Sequence, residues 1–351
     1  MKAVVKKEPK PGIQIAEIPV PKISSPDEVL IRVKAVGICG SDVHIYEWVG
    51  GVEHLTKNIP MVLGHEFSGE LAEVGSQVFG YRPGDRVTSE TGLTCGRCIY
   101  CLTGKPSLCD QRLGLGRIGI EKKGAMTDYV VSQVSLLHKI PVGVSYEEAA
   151  MSEPMAVALN ALEQVKIFPS DPVVVLGAGP IALTIAQGAK AAGASPLVMT
   201  GLTQDRERLI VAKSLGVDET IDVQKEDPVE KVKAMTNGLG AAIAFEVSGS
   251  VKAFDQGLDM LRKGGDLVAV GIYPEDIAVD ASRKLVREMK AIRGVFGGSR
   301  LSWDRSLNLM ASGQIKLAPL ITHRLPITKA EEGFHACLEK KAMKVILSPA
   351  Q

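Results

Sequence analysis

A glycine-rich turn at residues 177–182, Gly-Ala-Gly-Pro-Ile-Ala, restricts the possible folds of this chain more than any other segment. It follows the apolar, strand-like run Val173–Leu176 and opens a segment of helical character. In this context the first glycine permits a tight turn, the second lets a pyrophosphate approach the backbone, and the helix N-terminus attracts the phosphate charge. The turn therefore predicts dinucleotide binding. The predicted binding residues at the turn are Gly177, Gly179, Pro180 and Ile181.

Strand-like and helical segments alternate through the region around this turn, from Pro172 to Gly271. Alternation at this spacing predicts the α/β class, with a parallel, doubly wound sheet. Residues 1–150 instead contain short strand-like segments between Gly and Pro residues, such as Glu28–Ala35 and Ser68–Val74. The last fifty residues look β-like again, and a discontinuous first domain is one interpretation of that return.

The second predicted strand of the alternating region bears on the choice between NAD and NADP. An acidic residue that binds the ribose 2′-hydroxyl of NAD is expected near its end, but Gly201 stands there. Arg206 lies just beyond and is placed to bind the 2′-phosphate of NADP, although the solvated start of a helix explains it equally well. Both cofactors therefore stay open. Val247, which ends a later predicted strand, is also assigned to the cofactor site.

Four of the six cysteines lie within fifteen residues, at Cys95, Cys98, Cys101 and Cys109. Thiolates at this density favour a structural zinc ion in a closed tetrahedral site. A bacterial ferredoxin cluster would require a shorter last gap and a proline after the final cysteine, whereas Asp110 follows here. A zinc module for nucleic acid would normally carry a basic patch, which this segment does not suggest.

Composition excludes several function classes. The 351-residue chain has 41 basic and 40 acidic residues, so its net charge of +1 excludes binding to nucleic acid or anionic membranes mainly through bulk electrostatics. The longest mainly apolar stretch, Val173–Ala186, is too short and too glycine-rich to span a bilayer. The N-terminal residues lack the apolar core of a signal peptide, which predicts a cytoplasmic protein.

Three short motifs suggest a second metal site. Each has an ordinary structural explanation by itself, but their combination with the dinucleotide turn changes the interpretation. Cys39, His65 and a carboxylate would form a mixed sulfur, nitrogen and oxygen site with room for substrate, as catalytic zinc requires. The motifs are Gly37-Ile-Cys-Gly-Ser-Asp-Val-His44, Gly64-His-Glu66 and Ser152-Glu-Pro154.

In their order along the chain, these motifs resemble those of the zinc-dependent medium-chain dehydrogenases from end to end. Within that family the chain is similar to the polyol branch, which includes sorbitol and arabitol-phosphate dehydrogenases. Ala150-Met-Ser-Glu-Pro resembles the arabitol-phosphate enzymes, whereas Asp42-Val-His-Ile-Tyr-Glu-Trp resembles L-threonine 3-dehydrogenases.

The resemblance implies a GroES-like, β-rich catalytic domain that is interrupted by a Rossmann domain. The expected catalytic domain covers 1–155, with a structural zinc lobe at 90–112, and is completed by 295–351. The expected Rossmann domain covers 156–294. The family also implies a homo-oligomer, either a dimer or a tetramer.

The resemblance further implies roles for individual residues. The catalytic metal, zinc or manganese, is expected to bind Cys39 and His65, together with Glu66, Glu153 or both. The two glutamates are therefore counted among the catalytic residues as well. Ser41 is expected to contact the substrate and take the alcohol proton, and His44 ends the proton relay. Asp42 is expected to orient the histidine ligand.

The implied activity is oxidation of a secondary hydroxyl of a polyol or polyol phosphate, with hydride transfer to NAD or NADP. Threonine 3-dehydrogenase is the alternative activity. Two departures count against it: threonine dehydrogenases usually carry a histidine where residues 91–93 stand here, and they tend to carry aspartate at the position of Glu153. An inert cofactor-binding protein is a third reading. Arg300 is expected to contact phosphate or polyol hydroxyls, with a surface cation as the alternative. His138 lacks metal-like spacing and is interpreted as a surface or packing residue.

Overall fold

The computed structural model describes residues 1–111 and 115–349. Residue 112, the last of the predicted zinc lobe, and residues 350–351, the end of the predicted catalytic domain, lie outside the described residues. Backbone contacts divide the chain into two compact units. The first contains Met1–Pro154, Ser299–Ser312 and Leu317–Gln351, and the second contains Met155–Gly298 and Gly313–Lys316.

A seven-stranded sheet forms the framework of the first unit. In its central strand, Glu28–Gly37, the last residue lies opposite Glu66 of a neighbouring strand. The last strand of the chain, Lys344–Ser348, pairs antiparallel with the same central strand, so the C-terminal segment is part of this sheet. The strand order is Ile321–Pro326, Lys344–Ser348, Glu28–Gly37, Glu66–Val74, Arg86–Ser89 and Leu137–Lys139, with Tyr129–Gln133 also paired to Glu28–Gly37. A three-stranded sheet in this unit has the order Gln14–Glu17, Lys2–Lys6 and Met61–Val62.

Apolar side chains from these strands form the core of the first unit. Ile31, Phe67, Leu71 and Val345 are at most 1% exposed and belong to one continuous cluster. Burial of each such side chain stabilises the fold by roughly 1.5–3 kcal/mol. The core therefore fixes the strand ends that carry the sequence motifs.

The second unit is built on a six-stranded parallel sheet. From the central strand Val173–Leu176 the chain first adds two strands on one side and then crosses to the other side. Such a reversal leaves a crevice at the carboxyl ends of the strands, where open α/β sheets bind their ligands. The strand order is Glu219–Asp222, Leu197–Gly201, Val173–Leu176, Ala241–Glu246, Leu261–Ala269 and Ala291–Gly294.

The predicted α/β class, a β-rich part combined with a doubly wound parallel sheet, is confirmed by this topology. The sequence pattern missed the edge strand Ala291–Gly294. Within the described residues, no helix combines the length and hydropathy needed to cross a membrane. Within residues 1–111 and 115–349, the α-helices are Gly40–Glu47, Ile99–Leu102, Tyr146–Ala150, Ser152–Leu162, Pro180–Ala191, Arg206–Ser214, Pro228–Met235, Val251–Met260, Arg300–Ala311 and Ala330–Leu338.

Candidate metal and cofactor sites

Cys39, His65 and Glu66 meet at one end of the sheet of the first unit. Their ligand atoms lie within 4.8 Å of one another. They are brought together because Gly37 and Glu66 are paired residues of adjacent strands, and Cys39 follows Gly37 by two positions. His65 is 4% exposed and Glu66 is completely buried. Thiolate, imidazole and carboxylate are the ligand types that zinc takes in proteins.

The helix Gly40–Glu47 positions the first of these ligands. Cys39 is the N-cap residue of the helix, and its N–H donates to Asp42 Oδ2 at 2.9 Å. The other oxygen of this buried carboxylate accepts a hydrogen bond from Gly64 N–H at 3.3 Å. Asp42 therefore ties the start of the helix to the residue that precedes His65.

The electrostatics around His65 favour a cation in the cluster. Burial opposes a charge on this ring, but the nearby Asp42 and Cys39 outweigh it, so the pKa of His65 is raised well above its ordinary value. Its Nδ1 atom lies 3.6 Å from Asp42 Oδ1. Asp42 and Cys39, which stabilise a proton on the ring, would stabilise a bound metal ion in the same way.

Glu66 is held by a lysine from the C-terminal strand. Lys344 Nζ donates to Glu66 Oε2 at 2.6 Å and to the carbonyl of Ile38 at 3.2 Å. Gly37 makes room for the carboxylate, because a Cβ atom at this position would lie 2.2 Å from Oε2. The lysine thus fixes one oxygen of Glu66 and leaves the other for the cluster.

Two buried atoms of the cluster lack hydrogen-bond partners among the described residues. They are His65 Nδ1, which nevertheless faces the Asp42 carboxylate at 3.6 Å, and Glu66 Oε1. An unsatisfied buried polar atom costs roughly 1–3 kcal/mol, so Glu66 Oε1 calls for an additional partner. The residues present therefore fit a bound zinc ion.

The other predicted catalytic residues occupy different positions around this cluster. Ser41 Oγ lies 3.3 Å from His65 Nε2. His44 lies one helical turn further and is exposed, with Gly50 close to its ring. Glu153 is half-buried in the first turn of Ser152–Leu162 and is not part of the ligand cluster that the described residues form. Its role as a metal ligand stays a prediction.

The four clustered cysteines converge in the way that a closed zinc site requires. Their sulfur atoms lie within 4.8 Å of one another. The Sγ atom of Cys101 is 3.5 Å from that of Cys98 and 4.0 Å from that of Cys95, close to the roughly 3.8 Å edge of a tetrahedral zinc–sulfur site. Backbone N–H groups of Cys101 and Asp110 lower the pKa of Cys98 to about 6, whereas burial and the neighbouring sulfur atoms raise the pKa of Cys101 to about 11. Four thiolates this close together therefore require a cation among them. These residues fit a structural zinc ion.

The glycine-rich turn has the backbone geometry expected for phosphate binding. Gly177 has a φ angle of +114°, which favours glycine. Gly179 is the N-cap of the helix Pro180–Ala191, and the space beside its Cα is open, with no atom within 4 Å of where a Cβ would lie. Pro180 occupies the first helical turn, where its missing N–H costs nothing. The free N–H groups of this helix end can therefore receive a phosphate.

The other predicted cofactor residues lie near the carboxyl ends of Leu197–Gly201 and Ala241–Glu246, the two strands that flank Val173–Leu176. Gly201 ends the strand Leu197–Gly201 and is packed closely, since a Cβ there would lie 3.2 Å from Leu209. Asp205 accepts a hydrogen bond from Leu202 N–H at 3.0 Å. Arg206, the first residue of its helix, is exposed. Val247 N–H donates to the carbonyl of Leu176, beside the glycine-rich turn.

Arg300 belongs to a charged cluster that sequence reasoning missed. Its guanidinium donates to Glu90 Oε1 and to the carbonyls of Ser135 and Leu137, at 2.6–3.0 Å. His138 is 2% exposed, and its two ring nitrogens lie 3.0 Å from Glu90 and 2.6 Å from Asp304. His138 is therefore an internal bridge between two carboxylates. A substrate contact by Arg300 stays a prediction and would have to use its remaining donors.

Comparison with known families adds to this geometry. Residues 25–142 match the alcohol dehydrogenase GroES-like domain, and residues 180–312 match the zinc-binding dehydrogenase family. The expected GroES-like and Rossmann character of the fold is thereby confirmed.

Curated relatives cover nearly the whole chain. The chain is 38% identical to a sorbitol dehydrogenase from Halalkalibacterium halodurans, with 99% of both chains covered. It is 37% identical to a D-arabitol-phosphate dehydrogenase from Enterococcus avium, with 99% of this chain and 97% of the relative covered. It is 36% identical to an L-threonine 3-dehydrogenase from Bacillus licheniformis, with 99% of both covered. The substrates in these names differ while the identities are nearly equal.

Solved structures share the whole fold. The 2R,3R-butanediol dehydrogenase of Bacillus subtilis is 32% identical, with a TM-score of 0.89 and 99% of both chains covered. A zinc-binding dehydrogenase from Sinorhizobium meliloti, determined with bound NADP, is 27% identical, with a TM-score of 0.89 and 99% of both chains covered.

Proposed function

This chain belongs to the zinc-dependent medium-chain dehydrogenases, and we propose that it oxidises a secondary hydroxyl of a polyol or polyol phosphate to the ketone, with hydride transfer to NAD or NADP. The observation that carries the proposal is the cluster of Cys39, His65 and Glu66 with Ser41 beside it. The polyol class rests on similarity to the sorbitol and arabitol-phosphate enzymes.

The residues of the chain supply positioning and proton transfer. Bound zinc supplies a Lewis acid that lowers the pKa of a hydroxyl group. Cys39, His65 and Glu66 would hold this ion, and Glu153 is proposed as a further or alternating ligand. Ser41 is proposed to accept the hydroxyl proton, and its Oγ lies 3.3 Å from His65 Nε2. His44 is proposed to release the proton to solvent, which its exposed position three residues further on the same helix supports.

L-threonine 3-dehydrogenase is a second candidate because relatives with that name are 36% identical over 99% of the chain. A threonine substrate requires groups that bind an ammonium and a carboxylate, whereas a polyol requires hydroxyl partners. Substrate tests, rather than overall identity, therefore separate the two candidates.

The decisive experiment is a substrate panel with purified enzyme. Sorbitol, arabitol, their phosphates and threonine are each offered with NAD and with NADP. Turnover of a polyol or its phosphate supports the proposal, and turnover of threonine alone replaces it with the second candidate. Cys39→Ala is expected to abolish turnover and to leave one metal ion per chain where the wild type has two. Metal analysis of the wild type also distinguishes zinc from manganese, and a single metal with no turnover would support an inert cofactor-binding protein.

A further inference from the structure

A buried carboxylate lies at the end of a central strand of the second unit. Glu246 is the last residue of Ala241–Glu246 and is 0% exposed. Its Oε1 atom accepts hydrogen bonds from the N–H group of Ser248 at 2.8 Å and from the hydroxyl of the same residue at 2.5 Å. Its Oε2 atom accepts from Gly249 N–H at 3.2 Å and from the Tyr273 hydroxyl at 2.6 Å. All four donors are neutral, and they come from two different loops.

The two loops are in close backbone contact at this carboxylate. One follows the strand Ala241–Glu246, and the other follows the strand Leu261–Ala269. A Cβ atom on Gly271 would lie 2.3 Å from Gly249 N and 2.7 Å from Glu246 Oε2. Position 271 therefore has no room for a side chain, and the Glu246 carboxylate connects the two loops through its hydrogen bonds.

The first of these loops borders the glycine-rich turn. Glu246 lies opposite Leu176 in the sheet, and the next residue along each strand begins its loop. A Cβ atom on Gly177 would lie 3.2 Å from Ser248 N. Residues 247–249 therefore lie beside the turn that is expected to bind the pyrophosphate.

The strand order indicates which half of a dinucleotide would lie beside residues 247–249. The order in which strands are added to the sheet reverses between the parallel strands Val173–Leu176 and Ala241–Glu246, and a dinucleotide lies across such a switch point. The strands on the Leu197–Gly201 side follow the glycine-rich turn and receive the adenosine half. Residues 247–249 lie on the opposite side, where the nicotinamide half belongs.

We propose that Glu246 is a positioning residue that holds residues 247–249 and Tyr273 in the conformation that receives the nicotinamide half of the cofactor. The inference rests on the dinucleotide binding in the proposed function and on no particular substrate. Burial and the hydrogen bond to Glu246 raise the pKa of Tyr273, so its hydroxyl stays protonated and continues to donate.

A glutamine at this position tests the role of the carboxylate. An amide of the same shape has one oxygen, so its NH₂ group must face one pair of donors in either orientation. On the Oε2 side that pair includes the Gly249 N–H, which cannot become an acceptor. Glu246→Gln is therefore expected to loosen the loop while removing no side-chain volume. Tyr273→Phe removes a single donor and serves as a milder second variant.

The readout is binding of whole cofactor compared with binding of its adenosine half. Dissociation constants for NADH, NADPH and AMP are measured by calorimetry on the purified full chain, with circular dichroism to check the fold. Glu246→Gln is expected to weaken the preferred reduced dinucleotide by about tenfold or more and AMP by less than about twofold. Tyr273→Phe is expected to weaken the dinucleotide by about threefold to tenfold, again without affecting AMP. Glu219→Gln, the same change on an edge strand of the same sheet, is the matched control and should change neither constant.

Several results would overturn the inference. They are unchanged dinucleotide binding by folded Glu246→Gln, equal loss of AMP and dinucleotide, or a wild type that binds neither dinucleotide. If Glu246→Gln does not fold, Tyr273→Phe decides the question by the same comparison. Because binding is measured without turnover, a wild type that binds NADH or NADPH but oxidises no polyol would contradict the proposed substrate and leave the role of Glu246 intact.

Discussion

Replacing Lys344 with methionine tests the structural account of the metal cluster most directly. Lys344 and Glu66 are 4% and 0% exposed, and they form an ion pair 278 positions apart in the chain. Methionine retains most of the side-chain volume of lysine but removes its charge and its donors. In the variant Glu66 stays buried, but its Oε2 atom no longer has a positively charged partner.

The size of the effect follows from the geometry of the pair. At the Nζ–Oε2 distance of 2.6 Å and an effective dielectric constant of about 20, the Coulomb attraction is roughly 6 kcal/mol. Desolvation of both ions offsets part of this attraction, but removing one partner of a buried pair still costs roughly 3–5 kcal/mol. With a urea dependence of about 2–3 kcal/mol per M, the unfolding midpoint should fall by about 1–2.5 M.

Tryptophan fluorescence is a suitable assay because it reports on the unit that contains the pair. The two tryptophans, Trp48 and Trp303, both belong to the first unit. Urea unfolding followed at their emission therefore measures the stability of this unit without a signal from tryptophan in the second. Because Glu66 is also a proposed metal ligand, all variants are compared after metal removal with a chelator. Under these conditions the double variant Lys344→Met/Glu66→Gln removes both charges and is expected to unfold at higher urea than Lys344→Met alone.

The matched control is Lys341→Met, whose lysine lies three positions away and is 71% exposed. An exposed pair of this kind contributes at most about 1 kcal/mol, so its midpoint should stay within about 0.5 M of the wild type. The reasoning is refuted if Lys344→Met shifts the midpoint no more than Lys341→Met does. It is also refuted if the double variant is less stable than Lys344→Met.

Four further predictions concern other parts of the chain. Cys98→Ser is expected to reduce the metal content by one ion per chain while cofactor binding persists, as measured by elemental analysis and calorimetry; unchanged metal content would contradict the structural site. Burial lowers the pKa of Lys6 from 10.5 to about 8. Between pH 8 and 10.5 the unfolded chain therefore holds a proton on Lys6 that the folded chain has lost, so the free energy of unfolding should rise as the pH is increased from about 8. Urea midpoints measured at pH 7.5 and 9.5 should show this rise in the wild type and lack it in Lys6→Met. Gly201→Asp should shift the ratio of kcat/KM values towards NAD by about tenfold or more, because a carboxylate repels a 2′-phosphate, and an unchanged ratio would exclude this position as a determinant. The expected homo-oligomer should give two or four times the 37.4 kDa chain mass in light scattering, and a mass of one chain would contradict it.

Local patterns predicted the features whose determinants are close together in sequence. The glycine-rich turn was recognisable because strand, turn and helix occupy consecutive residues around Gly177. The four-cysteine site was recognisable because its ligands lie between Cys95 and Cys109. In both cases one short segment contains nearly all the residues of the site, so the structure adds their distances and angles but few further residues.

Features that depend on distant partners were not predicted. Lys344 looked like one residue of a β-like segment, and nothing near it in the sequence indicates Glu66 as its partner. His138 has no metal-like spacing, and its partner Asp304 lies 166 positions away. The edge strand Ala291–Gly294 was missed because it is only four residues long and mostly exposed, so its pairing depends on the neighbouring strand more than on its own pattern.

A weaker signal for the buried carboxylates was nevertheless present in the sequence. Glu66 and Glu246 each adjoin apolar residues of a strand, at Phe67 and at Phe245. An acid in such a position is rarely buried without partners, so it predicts that donors or a cation must converge on it. The structure distinguishes the two cases, because the four groups that donate to Glu246 are neutral, whereas Glu66 has a lysine on one oxygen and, among the described residues, no donor on the other. An oxygen left in this state beside a thiol and an imidazole is suited to a metal ion, which is why we propose Glu66 as a metal ligand and Glu246 as part of the framework of the cofactor site.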